Sequence, residues 1–489
     1  MTRLRALDRK RLRDLARTWG QGLTIALVIA CGISSFVTMR TAYDSLTAAR
    51  DRDYAERRFA DVFVHLNCAP EDTTGRLERI PGVARVHSRV VGAVRLPLEG
   101  LPEPATGFVI SLPADGEPPL NALSLSEGRL PEPGRADEVV VLDVFARAHD
   151  LHPGARLSAV ANGLWRDLRV VGLATSPEFV FAVSAGALVA DERRFGVLWM
   201  DRRAVAPLYR TEGSFNDALL TLQPGANERR VLADLRRVLA PYGVVSATGR
   251  DWHPSNRMLE GEFTQLRTYA VVAPLIFLGV AAFLVNVVMG RMLQLERGSI
   301  ATLKALGHRT GEIVGHYLGY AAAIVSVGGV LGLGLGWLLG QGMLALYAPY
   351  FHFQDLTFRF SPAIVLIALA ISVLAGLTGA TSAVLRSARL PPAQTMMPEA
   401  PPGYRRTWIE ALGLLRLLSP AGRMVARQLL RRPVRTLLSA VGIALGTGVI
   451  VTARTTYDAV DQLFALQFSE AQREDAEVSF RRPLPETPR

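Results

Sequence analysis

Uncharged apolar runs alternate with polar stretches along the chain, and their lengths predict the architecture. The run at 269–289 is long enough to cross a hydrocarbon core of ~30 Å at about 1.5 Å per helical residue. The run at 313–346 exceeds that need, so its far end should project from the membrane. Together with the runs at 22–39, 364–385 and 437–453, these predict five membrane helices.

The polar stretch at 45–261 shows a different pattern. It mixes strand-like alternation, as at 61–66 and 168–173, with helical segments such as 228–239. Dipeptides such as Pro-Gly separate these segments. The stretch is therefore expected to form a large α+β domain, in two lobes.

Basic residues gather at the ends of the apolar runs and indicate the orientation. Seven lie in the N-terminal tail, four at 291–312 and ten at 386–435, whereas the loop at 348–362 has only Arg359. Because cytoplasmic loops carry the excess of Lys and Arg, the first three regions are expected in the cytoplasm and the α+β domain outside. This placement accounts for the net charge of +11 without nucleic acid as a partner.

The first apolar run is repeated near the end of the chain. A shift of 414 positions places the motif T-x-Y-D at 41–44 on its copy at 455–458, and many neighbouring residues match without a gap. The match indicates an internal duplication. It also favours a membrane helix over a signal peptide for the first run, which no small-residue cleavage site follows. The chain is thus expected to hold one module and the start of a second.

A short polar segment at 291–312 separates the second and third predicted membrane helices. Ser299 is expected to cap a helix that runs to Leu306, because a serine oxygen can accept the first orphan N–H groups. Gly307 should end this helix in the left-handed conformation, and Thr310 should cap the next one. The apolar residues of the short helix are expected near one face: Ile300, Leu303 and Leu306. The alternative to a capped helix on the membrane surface is a plain solvated loop.

Small residues recur at four-residue spacing in the predicted membrane helices. The stripe on the third helix consists of Gly328, Gly332, Gly336 and Gly340. Similar stripes occur on the first helix (Ala26, Ala30 and Ser34) and the fourth (Ala368, Ser372, Gly376 and Ala380). Such stripes let helix backbones approach closely in lipid, so a tight bundle is expected. The alternative is that glycine and alanine are simply common in membrane helices.

Several kinds of chemistry are not expected. No Asp, Glu, Lys or Arg lies in the five apolar cores, whereas ion-coupled transporters usually need such groups. No G-x-x-x-x-G-K-[ST] motif occurs, so the chain is not expected to bind ATP through a P-loop. The histidines are scattered, and we expect neither a metal site nor catalytic residues. Cys31 and Cys68 are not expected to pair.

The order of these elements resembles the FtsX-like permease family, the MacB-type permeases of ABC transporters. The motif L-K-A-L-G at 303–307 resembles the cytoplasmic loop of the family, and R-L-P-P-A at 389–393 resembles its exit from the last helix. G-R-L-P at 128–131, L-R-V-V-G at 168–172 and S-P-E at 176–178 resemble parts of its outer domain. The long members with two modules are the most similar.

The resemblance implies a helical membrane bundle with a MacB-like periplasmic core, in the bacterial plasma (inner) membrane. It implies a permease subunit that couples ATP hydrolysis by a separate ATPase to a conformational change outside, for export or release of a substrate. The loop would dock on the ATPase through Glu296, Arg297, Ile300, Leu303, Lys304, Ala305, Leu306 and Gly307. Ser299 stands where the family often has a glutamate, so either Glu296 supplies the acidic contact or the contact is absent.

The implied partners are an ABC ATPase subunit, a periplasmic adaptor of the membrane-fusion type, the lipid bilayer, and a second permease module or missing C-terminal half. The chain itself would be neither an enzyme nor a cofactor protein, since ATP would be bound by the partner. One alternative is a subunit that activates an outer enzyme such as a cell-wall hydrolase without transport. Another is a stand-alone receptor, which would explain neither the repeat nor the loop.

The chain is accordingly expected to consist of eleven segments. They are a basic cytoplasmic N-terminus (1–18), a first membrane helix (19–44), the outer α+β domain (45–261), a stalk and second helix (262–290), the coupling loop (291–312), a third helix (313–346), an outer loop (347–362), a fourth helix (363–385), a cytoplasmic linker (386–435), a fifth helix (436–453) and the start of a second outer domain (454–489).

Overall fold

The structure is a computed structural model. It describes residues 13, 16–98, 100–101, 103–114, 116–181, 192–348, 350–351, 353, 356–388, 419–431 and 433–466. Three features named above therefore lie outside the described residues: most of the basic N-terminal tail, the motif at 389–393, and the second outer domain from 467 onward.

The described helices fall into long apolar ones and short ones. In chain order they are α1 (Trp19–Glu56), α2 (Thr74–Glu78), α3 (Asp143–Ala148), α4 (Arg202–Tyr209), α5 (Glu228–Leu239), α6 (Pro254–Leu295), α7 (Arg297–Ala305), α8 (Thr310–Tyr347), α9 (Pro362–Ala388), α10 (Pro420–Arg431) and α11 (Pro433–Ala465).

The described strands all lie between α1 and α6. They are β1 (Val62–Pro70), β2 (Val83–Arg89), β3 (Val91–Leu96), β4 (Ala105–Leu112), β5 (Ser124–Gly128), β6 (Glu138–Leu142), β7 (Arg156–Ala161), β8 (Leu164–Thr175), β9 (Phe195–Asp201), β10 (Ser214–Leu222) and β11 (Val244–Gly249). The expected α+β region between the first two long helices is therefore present.

Four of the described helices, α1, α6, α8 and α9, are long and apolar enough to cross a membrane. The predicted fifth span at 436–453 lies within α11, which is helical but is not among these four, so that span stays a prediction. Helices α1 and α6 have 38 and 42 residues. At about 1.5 Å per residue they reach about 57 Å and about 63 Å, roughly twice a hydrocarbon core, so both continue beyond the membrane.

The smaller sheet is antiparallel, with strand order β11-β1-β10-β2. Successive side chains of β1 point to opposite faces. Val64 joins Leu77 of α2 and Leu235 of α5 in one buried cluster. Phe63 packs instead against Phe59, just beyond the end of α1, with 5.4 Å between ring centroids. The sheet therefore has short helices on one face and the end of the first long helix on the other.

The larger sheet has the order β5-β8-β6-β9-β4-β3-β7, and a further pairing of β7 with β8 closes it into a barrel. Closure depends on the length of β8, whose first half pairs with β7 and whose last part pairs with β5. Gly128 ends β5 with φ of 74°, and a Cβ there would lie 2.2 Å from the carbonyl oxygen of Val171. Only glycine fits this position, which belongs to the G-R-L-P motif at 128–131.

The chain divides into two compact units. The first unit comprises Met1–Gly32, Leu275–Gly328 and Ile371–Arg489, and contains α7 among its described residues. The second unit comprises Ile33–Pro274 and Gly329–Ala370, and contains both sheets.

Candidate functional site

The short helix α7 follows α6 with only Glu296 between them. Because α7 begins at Arg297, Ser299 lies inside its first turn and does not cap it, contrary to the sequence prediction. Glu296 occupies the N-cap position without a side-chain cap bond. Its carboxylate accepts a hydrogen bond from the hydroxyl of Tyr317 instead, at 2.8 Å. The start of α7 is thus held by a buried tyrosine of α8, and this side chain rather than Ser299 marks the boundary.

The end of α7 is formed as predicted. Gly307 has φ of 91°, the left-handed conformation that glycine adopts without a Cβ penalty. Its N–H donates to the carbonyl oxygen of Lys304, and the N–H of His308 donates to that of Leu303, both at 3.0 Å. This pair of bonds is a Schellman motif, which satisfies carbonyls left over at the end of the helix.

The next helix starts with a different cap from the one expected. Thr310 is the first residue of α8, so it lies inside the helix. The carboxylate of Glu312 accepts from the backbone N–H of Arg309 at 3.1 Å and contacts Nδ1 of His308 at 2.9 Å. This is the acidic half of a capping box.

The apolar residues of α7 do not share one face. Ile300 and Ala301 are fully buried and Leu303 is half-buried, whereas Leu306 is 75% exposed. At 3.6 residues per turn, Leu306 lies about 170° from the midpoint between Ile300 and Ala301. The predicted single face was therefore wrong for Leu306, which points away from the rest of the first unit. At the other end of α7, Leu295 is 79% exposed.

The remaining predicted loop residues complete this surface. Arg297 and Lys304 are half-buried, and Ala305 and Gly307 are exposed. Together with the exposed small residues Gly298, Ser299 and Thr302, they leave a face of α7 with little side-chain bulk between the two exposed leucines.

The glycine stripe of α8 lies against other chain segments. In the first unit, a Cβ on Gly328 would lie 2.7 Å from the carbonyl oxygen of Ala26 in α1. In the second unit, a Cβ on Gly336 would lie 2.6 Å from Cβ of Val37, and one on Gly340 would lie 3.0 Å from the ring of Phe358. The fourth member, Gly332, is buried. By contrast, Gly334 and Gly342 of the same helix have no such neighbour within 4 Å, so position on the helix matters and not composition alone.

A polar side chain joins α6 to α9 in the first unit. Asn286 donates from Nδ2 to the carbonyl oxygen of Gly379 at 2.8 Å and also bonds to Oγ of Ser382. A Cβ on Gly379 would lie 2.3 Å from the carbonyl oxygen of Ala282, so the two helices touch through their backbones here. Hydrogen bonds of this kind hold helices together where lipid offers no hydrophobic driving force.

In the second unit, the two residues that follow α1 are bonded to the end of β8 and to the loop before β5. Arg57 donates from Nη1 to Oγ1 of Thr175, the last residue of β8, at 3.0 Å. The N–H of Asn121 donates to the carbonyl of Arg58 at 3.1 Å, and that of Ala122 donates to the carbonyl of Arg57 at 2.9 Å. The chain just after the first long helix is therefore bonded directly to the barrel of the second unit.

The S-P-E motif at 176–178 contributes to a buried charge cluster, which was not predicted from the sequence. Arg89, at the end of β2, binds both oxygens of Glu178 at 2.6 and 2.8 Å and also binds Asp217 of β10. Burial opposes ionisation of Asp217, but the charges of Arg89 and His65 outweigh it and lower the pKa of Asp217 to about 2. In the same way, Arg89 keeps the pKa of Glu178 below its usual value despite burial.

The G-R-L-P motif contributes a second ion pair. Arg129 donates two hydrogen bonds to the buried Glu138, at 2.8 and 2.7 Å, and the backbone N–H of Glu132 adds a third at 2.9 Å. The bonds from Arg129 lower the pKa of Glu138 to about 2. These motif residues are therefore explained by the folding of the barrel.

Residues 271–392 match the family described as FtsX-like permease C-terminal. This region is similar to FtsX-like permeases. The match begins within α6, includes α7 and α8, and extends just beyond α9, so the expected resemblance is confirmed. With four candidate spans among the described residues, the chain is a multi-pass membrane protein. No curated protein sequence matches the chain.

Two solved structures are similar to part of the chain. One is the periplasmic region of MacB from Actinobacillus actinomycetemcomitans, with 13% identity, a TM-score of 0.26, and coverage of 41% of this chain and 92% of that one. The other is the extracellular domain of the noncanonic ABC-type transporter YknZ from Gram-positive bacteria. Its identity is 10%, its TM-score is 0.26, and the match covers 39% of this chain and 98% of that one.

Proposed function

We propose that the chain is the permease subunit of an ABC transporter in a bacterial plasma membrane, with a cytoplasmic N-terminus and the α+β region outside. A separate ATPase subunit hydrolyses ATP, and the permease converts that event into movement of the outer region for export or release of a substrate. The observation that carries the proposal is α7, a short helix within the FtsX-like region, capped at its end and exposing Leu306.

The ATPase would dock on α7 and its flanks. Ile300 and Ala301 fix the helix to the first unit by burial, and Glu296 holds its start through Tyr317. Because the buried side of α7 is held in this way, a force that the ATPase exerts on its exposed side would move α6 and α8 together with α7. Leu306 would supply the apolar contact, with Ala305 and Gly307 allowing close approach.

The long helices support a transmitting role. In the second unit, Arg50 of α1 pairs with Glu260 of α6 and lies 4.9 Å from the ring centroid of Phe263. Tyr54 donates to Asn256 of α6 at 3.0 Å. These bonds join the outward extensions of α1 and α6 side by side, so they would move together as a stalk. The adaptor and the second permease module remain proposed partners outside this chain.

The docking proposal is tested by Leu306→Asp in the full chain reconstituted with its ATPase. Loss of one buried leucine contact is worth about 1.5–3 kcal/mol, or about 10- to 150-fold in affinity. We expect the variant to insert in the membrane, to bind the ATPase more weakly by that factor and to lose stimulated ATPase activity. Gly307→Pro should have the same effect, because proline cannot adopt the positive φ of this position.

The matched control is Leu164→Asp, which changes an exposed leucine at the start of β8 and should leave ATPase binding unchanged. Equal affinity and equal stimulated activity in wild type and Leu306→Asp would refute the docking site. If the wild-type complex shows stimulated ATPase activity but moves no substrate, the result would instead favour the alternative role, activation of an outer enzyme such as a cell-wall hydrolase.

A further inference from the structure

Three charged or titratable residues form a row across the small sheet. Asp217 of β10 lies opposite Arg89 of β2 on one side and opposite His65 of β1 on the other. The row ends at Ser246 of β11, which carries no charge. Glu178 reaches Arg89 from the turn Pro177–Phe179, which follows β8 of the barrel. The row is thus the place where the sheet and the barrel share buried charges.

While both carboxylates of this cluster are ionised, its charges balance only if His65 is protonated. Arg89 contributes one positive charge, and the ionised Glu178 and Asp217 contribute two negative ones, which leaves −1. A protonated His65 brings the sum to zero. The other ring facing the cluster, His253, is neutral because burial lowers its pKa to about 4, and it lies on Phe63 at 4.4 Å between centroids.

His65 is placed to supply that charge from the medium. Its Nδ1 lies against Oδ2 of Asp217, and this buried oxygen has no other hydrogen-bond partner among the described residues. The side chain of His65 is 50% exposed, so it can exchange protons with solvent. When His65 is neutral, Glu178 and Asp217 compete for one guanidinium in a buried setting, where an uncompensated charge is costly.

We propose that His65 is a pH-sensitive clamp, whose protonation holds the four-stranded sheet against the segment that carries Glu178. The hydrogen bond and charge of Asp217 raise the pKa of His65 above its ordinary value. The clamp is therefore complete below the ordinary pKa of histidine and is lost as pH rises through the raised one. A lower pH therefore strengthens the contact between the four-stranded sheet and the segment that carries Glu178, and a higher pH weakens it. This inference does not depend on an ATPase partner.

The test is hydrogen exchange of the full chain in lipid nanodiscs, between about pH 5.5 and about pH 8, with rates corrected for intrinsic exchange. Peptides from β1, β10 and 176–181 should lose protection severalfold as pH rises, while β4 and β9 of the barrel serve as an internal reference. His65→Gln should give the high-pH protection at both ends of the range. His65→Lys, with a permanent charge, should give the low-pH protection at both.

The control is His152→Gln, because His152 is also exposed and lies near Asp150 and Glu127 but is remote from the row. The hydrogen exchange of His152→Gln should depend on pH in the same way as that of the wild type. A flat wild-type profile, or a His65→Gln profile with the wild-type dependence on pH, would overturn the clamp. If His65→Lys fails to fold, the comparison of wild type with His65→Gln still decides.

Discussion

Replacement of Gly336 by alanine tests whether close helix packing holds the long helices together. A Cβ at this position would lie 2.6 Å from Cβ of Val37 and 2.8 Å from its Cγ1, with Cα of Ser34 at 3.2 Å. These distances are well inside the ~3.5–4 Å at which carbon atoms attract. The hydroxyl of Thr38 also donates to the carbonyl of Gly336 at 3.3 Å, so separation of α1 and α8 would lengthen a buried hydrogen bond.

The size of the effect follows from two opposing terms. Overpacking one methyl group costs about 1–3 kcal/mol, and replacing glycine by alanine within a helix gains about 1 kcal/mol. Gly336→Ala should therefore cost up to ~2 kcal/mol net. Gly334, two residues earlier and on the opposite face of α8, has nothing within 4 Å, so Gly334→Ala should show only the gain of about 1 kcal/mol. Two variants with the same added methyl should thus differ by about 1–3 kcal/mol.

The assay is thermal stability of the full chain in detergent, followed by loss of monodisperse protein on size exclusion. Val37→Gly should cost less in the Gly336→Ala background than in the wild type, because it removes both carbons that clash. Equal melting temperatures for Gly336→Ala and Gly334→Ala, or an equal cost of Val37→Gly in both backgrounds, would show that α1 and α8 do not pack through this glycine.

Two further substitutions probe the buried ion pairs. Glu138 has a pKa of about 2 in the folded chain against an ordinary 4.5, so its contribution is complete above 4.5 and is lost as pH falls toward 2. Acid unfolding followed by tryptophan fluorescence should be less pH-dependent in Glu138→Gln than in wild type, and an unchanged profile would contradict this. Arg89→Met leaves the buried Glu178 without its arginine partner and leaves Asp217 with only His65, and should cost about 3–5 kcal/mol in denaturant unfolding. Arg85→Met, an exposed position on the same strand, should cost little, and equal losses would contradict the assignment.

Features that depend on local rules could be predicted from the sequence. Gly307 ends α7 because only a residue at positive φ can close a Schellman motif, and that requirement is visible in the L-K-A-L-G motif. The four-residue spacing of the glycine stripe likewise marks one face of α8 before any partner helix is known. The long apolar runs predict spans because the thickness of the membrane fixes their length.

Features that depend on distant residues could not be predicted. The start of α7 is set by the bond between Glu296 and Tyr317, 21 residues away, so the capping tendency of Ser299 had no effect. The burial of Ile300 and Ala301 then turned Leu306 outward, against the expected single face. The partners of Arg89 lie 128 and 89 residues away, one in β10 and the other in the turn Pro177–Phe179, and no local pattern reveals that they meet.

Two polar side chains of the long helices bond one helix to another. Asn286 is engaged by the carbonyl of Gly379, and Thr38 by the carbonyl of Gly336. A route for a polar substrate through the bilayer core would need groups like these turned toward the substrate. Because these two side chains are used for contacts between helices, we expect the bonded helices to move together. The bonds of Arg57 and Arg58, just after α1, connect the end of that helix to the barrel. For the proposed transporter, the working end is then the outer region, and α7 is where the motion would enter.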